Sequence, residues 1–148
     1  MDFYRRAMKL KEETVSHRRY FHRNAESGLV LPRTTEYIWK KLTEYGIVPQ
    51  QCGHGITAVI GQGSPVILLR ADMDALPMQE ESGEEFATIA ERIPSAMIYL
   101  SAGFEDERGD YSAHNPKVRF NEDVCPVGVA AYAHCAVSWL NEHGKKES

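Results

Sequence analysis

The chain has 148 residues, 43% of them apolar and 26% charged, which is enough for one ordinary core and unlike a disordered or fibrous composition. A net charge of −4 and a pI near 5.9 give no broad basic field for a nucleic-acid backbone, and no uninterrupted apolar run is long enough to span a bilayer, so neither nucleic acid nor membrane is expected as a partner. The opening MDFYRRAMKLKEETV mixes charges through its apolar positions without a signal-peptide block, so a cytoplasmic protein is expected, and the widely spaced Cys52, Cys125 and Cys135 fit reduced thiols better than a disulfide framework.

From Phe3 to about Arg23, the residues Phe3, Ala7, Met8, Leu10, Val15, Tyr20 and Phe21 recur at helical spacing among charges, which predicts one amphipathic helix. Asn24 to Pro32 reads as a loop. Pro32 opens a second helix with Ile38, Trp39, Leu42 and Tyr45 on one side, stopped by Gly46. The character then changes to β-branched segments punctuated by glycine, and strands are predicted over Ile47–Gln51, Ile56–Ile60 and Val66–Leu69. The continuous run Val66-Ile67-Leu68-Leu69 suits a strand covered on both faces. Ser82 with Glu85 fits a capping box for a short helix ended by Pro94, Ala96–Leu100 reads as a fourth strand, and a loop rich in Gly, Asp and Glu leads to Asn121. Beyond it, Val129, Tyr132, Ala133, Ala136, Val137 and Leu140 mark one face of a final helix. The fold class expected is α/β, a single sheet of three to four or more strands flanked by the terminal helices.

The most specific segment is RADMDALP, Arg70 to Pro77, where Asp72 and Asp74 follow an apolar run and precede a proline turn. Carboxylates at the end of a parallel strand stand at the rim where α/β enzymes bind ligands, and such a pair can bind a metal or orient a histidine ligand. The competing use, capping backbone groups in a turn, takes roughly two chances in three on motif and turn chemistry alone. His114, in a loop ahead of the last helix, is a candidate zinc ligand, although a lone loop histidine is more often merely solvated. Cys52-Gly53-His54-Gly55 offers at most two of the four ligands zinc usually takes, and its place between predicted strands favours a hairpin turn. His17 and His22 are five apart, a poor match to a helical zinc pair, and His134 and His143 read as surface or flanking residues of the last helix. No nucleophile elbow, phosphate-binding loop or dinucleotide fingerprint occurs.

Taken in order, HRRYFHRNAE (His17 to Glu26), the Pro32-Arg33-Thr34 helix, GHGITAVIG (Gly53 to Gly61) and RADMDALP followed by Glu80 resemble the N-terminal part of one family. It is the zinc-dependent aminoacylase and carboxypeptidase-like amidohydrolases, which include hippurate hydrolase, indole-acetyl-amino-acid hydrolase and N-acetyldiaminopimelate deacetylase. The stretch from Glu84 to the terminus resembles the same family's C-terminal segment, with Glu84-Glu85-Phe86 where the family usually has Ser-Glu-Asp-Phe. The join falls near Ser82 to Glu84.

What the resemblance implies is a reduced version of the amidohydrolase catalytic domain over 1–148, with 1–82 similar to the family's N-terminal part and 84–148 to its C-terminal part. Its central stretch, with a Cys-Gly-His-Asp segment, a Glu-Glu pair that supplies the general base, and a small dimerisation domain, has no match in the chain. By carry-over, His114 and Asp72 correspond to metal ligands and Asp74 to a carboxylate that orients one. Zinc or another divalent metal is the family's cofactor, with the alternative that this chain binds none. The substrate class implied is a small N-acyl amino acid or peptide. Hydrolysis needs a metal to polarise the carbonyl and a base to take a proton from water, and three surviving groups without the Glu-Glu pair predict little or no unaided activity. The alternatives are a non-catalytic module that self-associates or binds a partner, the homo-oligomer forming through an exposed sheet edge or face, and a fragment complemented in trans.

Overall fold

A computed structural model describes residues 1–75, 100–106, 111, 115 and 117–144. Internal contacts divide the chain into two units, one formed by Met1–Ala75 with Cys125–Ser148 and the other by Leu76–Val124.

In the first unit the predicted amino-terminal helix is two helices, α1 (Phe3–Lys9) and α2 (Lys11–Arg23). Asp2 caps α1 by accepting from the Arg5 N–H at 2.9 Å. At Leu10 (φ −96°, ψ 4°) the backbone leaves helical geometry, and its N–H turns back three residues to the Ala7 carbonyl at 3.0 Å. The Leu10 carbonyl accepts from both the N–H and the hydroxyl of Thr14, at 2.8 and 2.9 Å. The apolar spacing continues through the break, so periodicity does not reveal it.

Pro32 occupies the first turn of α3 (Pro32–Glu44), where its missing N–H costs nothing. The far end closes in a Schellman motif: the Ile47 N–H donates to the Leu42 carbonyl at 2.9 Å and the Gly46 N–H to the Thr43 carbonyl at 3.0 Å. Gly46 takes φ +74°, the left-handed conformation that the motif demands. Its predicted role as the helix stop is therefore accounted for by backbone geometry.

Among the described residues the sheet is smaller than expected. Two antiparallel strands, β1 (Pro49–Cys52) and β2 (Gly55–Ala58), pair Pro49 with Ala58 and Cys52 with Gly55. The Cys52–His54 segment is thus the hairpin turn, with Gly53 at φ +58°. The α/β class holds, but the third strand expected at Val66–Leu69 has no ladder partner among the described residues, and Val66, Leu68 and Leu69 are exposed. An apolar run specifies that a segment tolerates burial; it does not supply the neighbouring strand that would bury it. The capped helix expected from Ser82 to Pro94 lies outside the described residues, as does the expected fourth strand except for Leu100, which is not in a strand.

The last helix, α4 (Cys125–His143), is preceded by a short 3-10 turn, Glu122–Val124. Both α1 and α2 pack on α4. The buried residues of these helices are small: Ala7, Val15, Pro126, Ala130 and Ala136. Small side chains let helix backbones approach closely, and the alanines each bury less apolar area than a Leu or Phe, whose full burial is worth roughly 1.5–3 kcal/mol. The buried stripe is rotated from the expected face. Ala136 is on it, whereas Tyr132 and Val137 are exposed, because Pro126, Ala130 and the half-buried Val129, Ala133 and Leu140 complete the period.

In the second unit the Asn121 N–H donates to the Ala102 carbonyl at 2.7 Å, Asn115 accepts from the Lys117 N–H at 2.9 Å in a side-chain turn, and the Lys117 ammonium lies 5.6 Å from the centre of the Tyr111 ring.

Candidate functional site

The segment Arg70–Ala75 runs between two anchors. At its start the Tyr132 hydroxyl on α4 donates to the Arg70 carbonyl at 3.0 Å, and at its end the Ala75 N–H donates to the Glu26 carbonyl at 2.7 Å. Exposure alternates along it: Asp72 and Asp74 are exposed, whereas Met73 and Ala75 are half-buried. The Met73 methyl lies 3.7 Å from the place a Cβ on Gly55 would occupy, so this side chain leans on the hairpin. The Arg70 guanidinium pairs with Asp72 at 3.3 Å in solvent, where such a pair is worth at most about 1 kcal/mol. The rim of a parallel sheet, on which the ligand reading partly rested, is not what carries these residues: they follow an exposed non-strand run.

Glu26 has a structural task on each side. Its carboxylate accepts from the Thr34 N–H at 2.8 Å, the Arg33 N–H at 3.3 Å and the Arg33 Nε at 3.2 Å, satisfying donors at the open end of α3. Desolvation pushes its carboxyl up, but the bonds from Thr34 and then Arg33 outweigh this and hold it below the ordinary carboxylate range. Nearby, Leu29, Leu31, Trp39, Glu36 and His54 border an open groove of about 380 Å³ between the loop before α3 and the hairpin turn.

A second cluster joins α2 to α3. His17 Nδ1 lies 2.7 Å from the Tyr37 hydroxyl and Nε2 lies 2.9 Å from the Tyr45 hydroxyl, which donates to Glu13 Oε1 at 2.7 Å. Tyr37 stacks on Tyr20 with ring centres 3.7 Å apart and meets Phe21 edge-on. Desolvation and the bond to Glu13 push the Tyr45 phenol up to about 12. His17 is a poor metal ligand by its spacing from His22, and that spacing gives no hint of this role. The signal that could have found it is the eight-residue spacing of Tyr37 and Tyr45, which puts the residue that closes α3 on the same side as Tyr37.

His114 lies outside the described residues. Among the described residues no three His, Cys, Asp or Glu side chains are grouped to hold a metal ion. The donors that are described do not by themselves fit a zinc centre, which wants about four converging ligands. His134 packs edge-on against Phe3, and His143 Nδ1 donates to the Trp139 carbonyl at 2.9 Å, as suits flanking residues. Cys52 and Cys135 are exposed, Cys125 is half-buried, and all three are free. No described helix is long and apolar enough to cross a membrane.

No family model matches the chain, and no solved structure matches it. Curated relatives do. An IAA-amino acid hydrolase ILR1-like 2 of Arabidopsis thaliana is 40% identical over 79 residues, 53% of this chain and 17% of that protein. An N-acyl-L-amino acid amidohydrolase of Geobacillus stearothermophilus is 30% identical over 83 residues, covering 53% of this chain and 22% of that protein. An N-acetyldiaminopimelate deacetylase of Oenococcus oeni is 32% identical over 85 residues, covering 52% and 22%. The chain thus spans about a fifth of the length of these relatives. Over about half of its own length the chain is similar to these hydrolase, amidohydrolase and deacetylase relatives, which match the family that RADMDALP and the segments before it resemble.

Proposed function

We propose that the chain is a reduced, metal-dependent amidohydrolase-type domain over residues 1–148 that retains part of the family's site and has little or no hydrolytic activity alone. The observation that carries this reading is the 40% identity to an amidohydrolase over 79 residues, together with the RADMDALP segment, whose carboxylates face solvent between two tied positions, Arg70 and Ala75. Asp72 and His114 are the proposed metal ligands, zinc or another divalent cation the proposed cofactor, and Asp74 the carboxylate that orients a ligand. The substrate class is an N-acyl amino acid or small peptide, and the proposed compartment is the cytoplasm. Such a metal, when bound, supplies a Lewis acid for the amide carbonyl and for water. What this chain's own residues do is present two carboxylates on a held strip. Glu26, whose backbone carbonyl holds the end of that strip, has its carboxylate committed to the start of α3 and is not free to serve as a general base.

The test is release of free amino acid from N-acetyl and N-aroyl amino acids with zinc, cobalt or manganese, beside the metal content of the purified protein. Turnover by the chain alone, abolished by His114→Ala, would overturn the claim of inactivity. Failure of Asp72→Asn to lower metal content would overturn the ligand assignment.

A second reading is favoured by the exposure of Val59, Ile60, Val66 and Leu68 beside a sheet of only two strands among the described residues. Two strands alone are marginal in water, and open edges invite pairing. On this reading the chain self-associates through its sheet edge or face. A monomer at high concentration in analytical ultracentrifugation would exclude it.

A further inference from the structure

The cluster between α2 and α3 shares no residue with the Asp72–Asp74 strip and is not used by the proposed hydrolase chemistry. Its proton positions follow from its partners. A carboxylate only accepts, so the Tyr45 hydroxyl donates its single proton to Glu13. The Tyr45 oxygen is then left to accept, which places a proton on His17 Nε2. In the neutral imidazole Nδ1 is consequently the acceptor, and the Tyr37 hydroxyl donates to it at 2.7 Å. Three donors meet three acceptors in one direction, from Tyr37 through His17 and Tyr45 to Glu13.

We propose that this row is a proton relay and that it makes Tyr37 the preferred site of one-electron oxidation in this protein. A one-electron oxidant, such as a carbonate or nitrogen dioxide radical, removes an electron from the Tyr37 ring and is itself reduced. The phenolic O–H of Tyr37 breaks and an N–H forms at His17 Nδ1. The Nε2 proton passes to the Tyr45 oxygen, and the former Tyr45 proton passes to Glu13 Oε1. The products are a neutral tyrosyl radical, a neutral imidazole protonated at Nδ1 and a protonated Glu13, so charge and protons balance.

The Lys41 ammonium, paired with Glu44, lies 5.9 Å from the centre of the Tyr37 ring and opposes a charged radical cation, so the electron leaves only together with the proton. A further feature points to Tyr37. The stacked Tyr20 ring, inclined by 12°, lies over the ring that carries the unpaired electron. Among the described residues the other tyrosines with assigned acceptors are placed differently. Tyr132 donates to a backbone carbonyl, which is not a base, and Tyr45 donates to Glu13 only as the last link of the same row. A base at hydrogen-bond distance is the geometry that proton transfer requires.

The experiment photo-oxidises the full chain with tris(bipyridine)ruthenium and persulfate, follows the tyrosyl radical by time-resolved absorption, and locates oxidised rings by peptide mass spectrometry. The expected result is product concentrated on Tyr37, with a solvent deuterium isotope effect on its formation. His17→Gln, which keeps a polar side chain and removes the strong base, is expected to slow Tyr37 oxidation roughly a hundredfold, the low end of what a positioned base contributes. Products that follow exposure, on Tyr4, Tyr132 or Trp39, would overturn the assignment. Preferential Tyr37 oxidation unchanged by His17→Gln would overturn the relay. If that variant does not fold by circular dichroism, the isotope effect on the unaltered chain decides, and its absence counts against the relay.

Discussion

The hydroxyl of Tyr132 on the last helix donates to the backbone carbonyl of Arg70, sixty-two residues earlier, at 3.0 Å. This bond ties the start of the Asp72–Asp74 strip to α4, while Glu26 holds its end. Tyr132→Phe keeps the ring and removes only the donor. Because Arg70 and Tyr132 are both exposed, the expected loss of global stability is at most about 1 kcal/mol. Amide exchange should rise at Ala71 to Asp74 more than elsewhere; protection unchanged in that strip would mean the bond does not anchor it.

Glu26 supplies the next prediction. Its carboxyl is held below the ordinary range, so its contribution is present above the unfolded carboxylate value and is lost as pH falls through the lower folded value. Glu26→Gln leaves one acceptor for donors now shared between two oxygens. The variant should unfold at lower denaturant concentration near neutral pH, and the difference from the parent should shrink in acid. A pH-independent difference would assign the effect to packing.

At alkaline pH the sign reverses. Tyr45 is pushed up to about 12, so the neutral phenol is favoured by folding, and the associated stability is complete below the ordinary tyrosine value and lost as pH rises towards 12. Ultraviolet titration should show a tyrosine step near 12 that is absent from Tyr45→Phe. Glu13→Gln, which removes the carboxylate while leaving an acceptor, should bring that late step down.

Gly46 tests the backbone. It sits at φ +74°, and a methyl group placed on its Cα would have no atom within 4 Å, so Gly46→Ala meets no steric neighbour, only the left-handed conformation itself. The expected cost is roughly 1–2 kcal/mol, read from the shift in denaturation midpoint. Gly46→Asn, which tolerates that region better, should cost less.

The local elements are legible where their causes are local. Pro32 and Gly46 delimit α3 because one lacks an N–H and the other tolerates positive φ, and the Cys52–His54 turn follows from glycines between β-prone runs. The break at Leu10 is not legible, since helical spacing runs through it while the cause is a redirected N–H. Asp72 and Asp74 stand out as a pair, yet their surroundings do not, because the anchors, Tyr132 and Glu26, are remote in sequence. His17 escapes for the same reason: its partners Tyr37 and Tyr45 come from another helix and its end, and a search for metal spacing along one helix cannot find them.

Composition, motif order and local backbone chemistry thus determined the α/β class, the limits of α3 and the hairpin turn, and the similarity to amidohydrolases, since each depends on residues near one another in the chain. Only tertiary structure decided that Val66–Leu69 stands without a ladder partner among the described residues, that the Asp72–Asp74 strip is held at both ends, and that His17 links two tyrosines. Those outcomes depend on which distant donors and acceptors meet, and linear spacing carries no record of that distance.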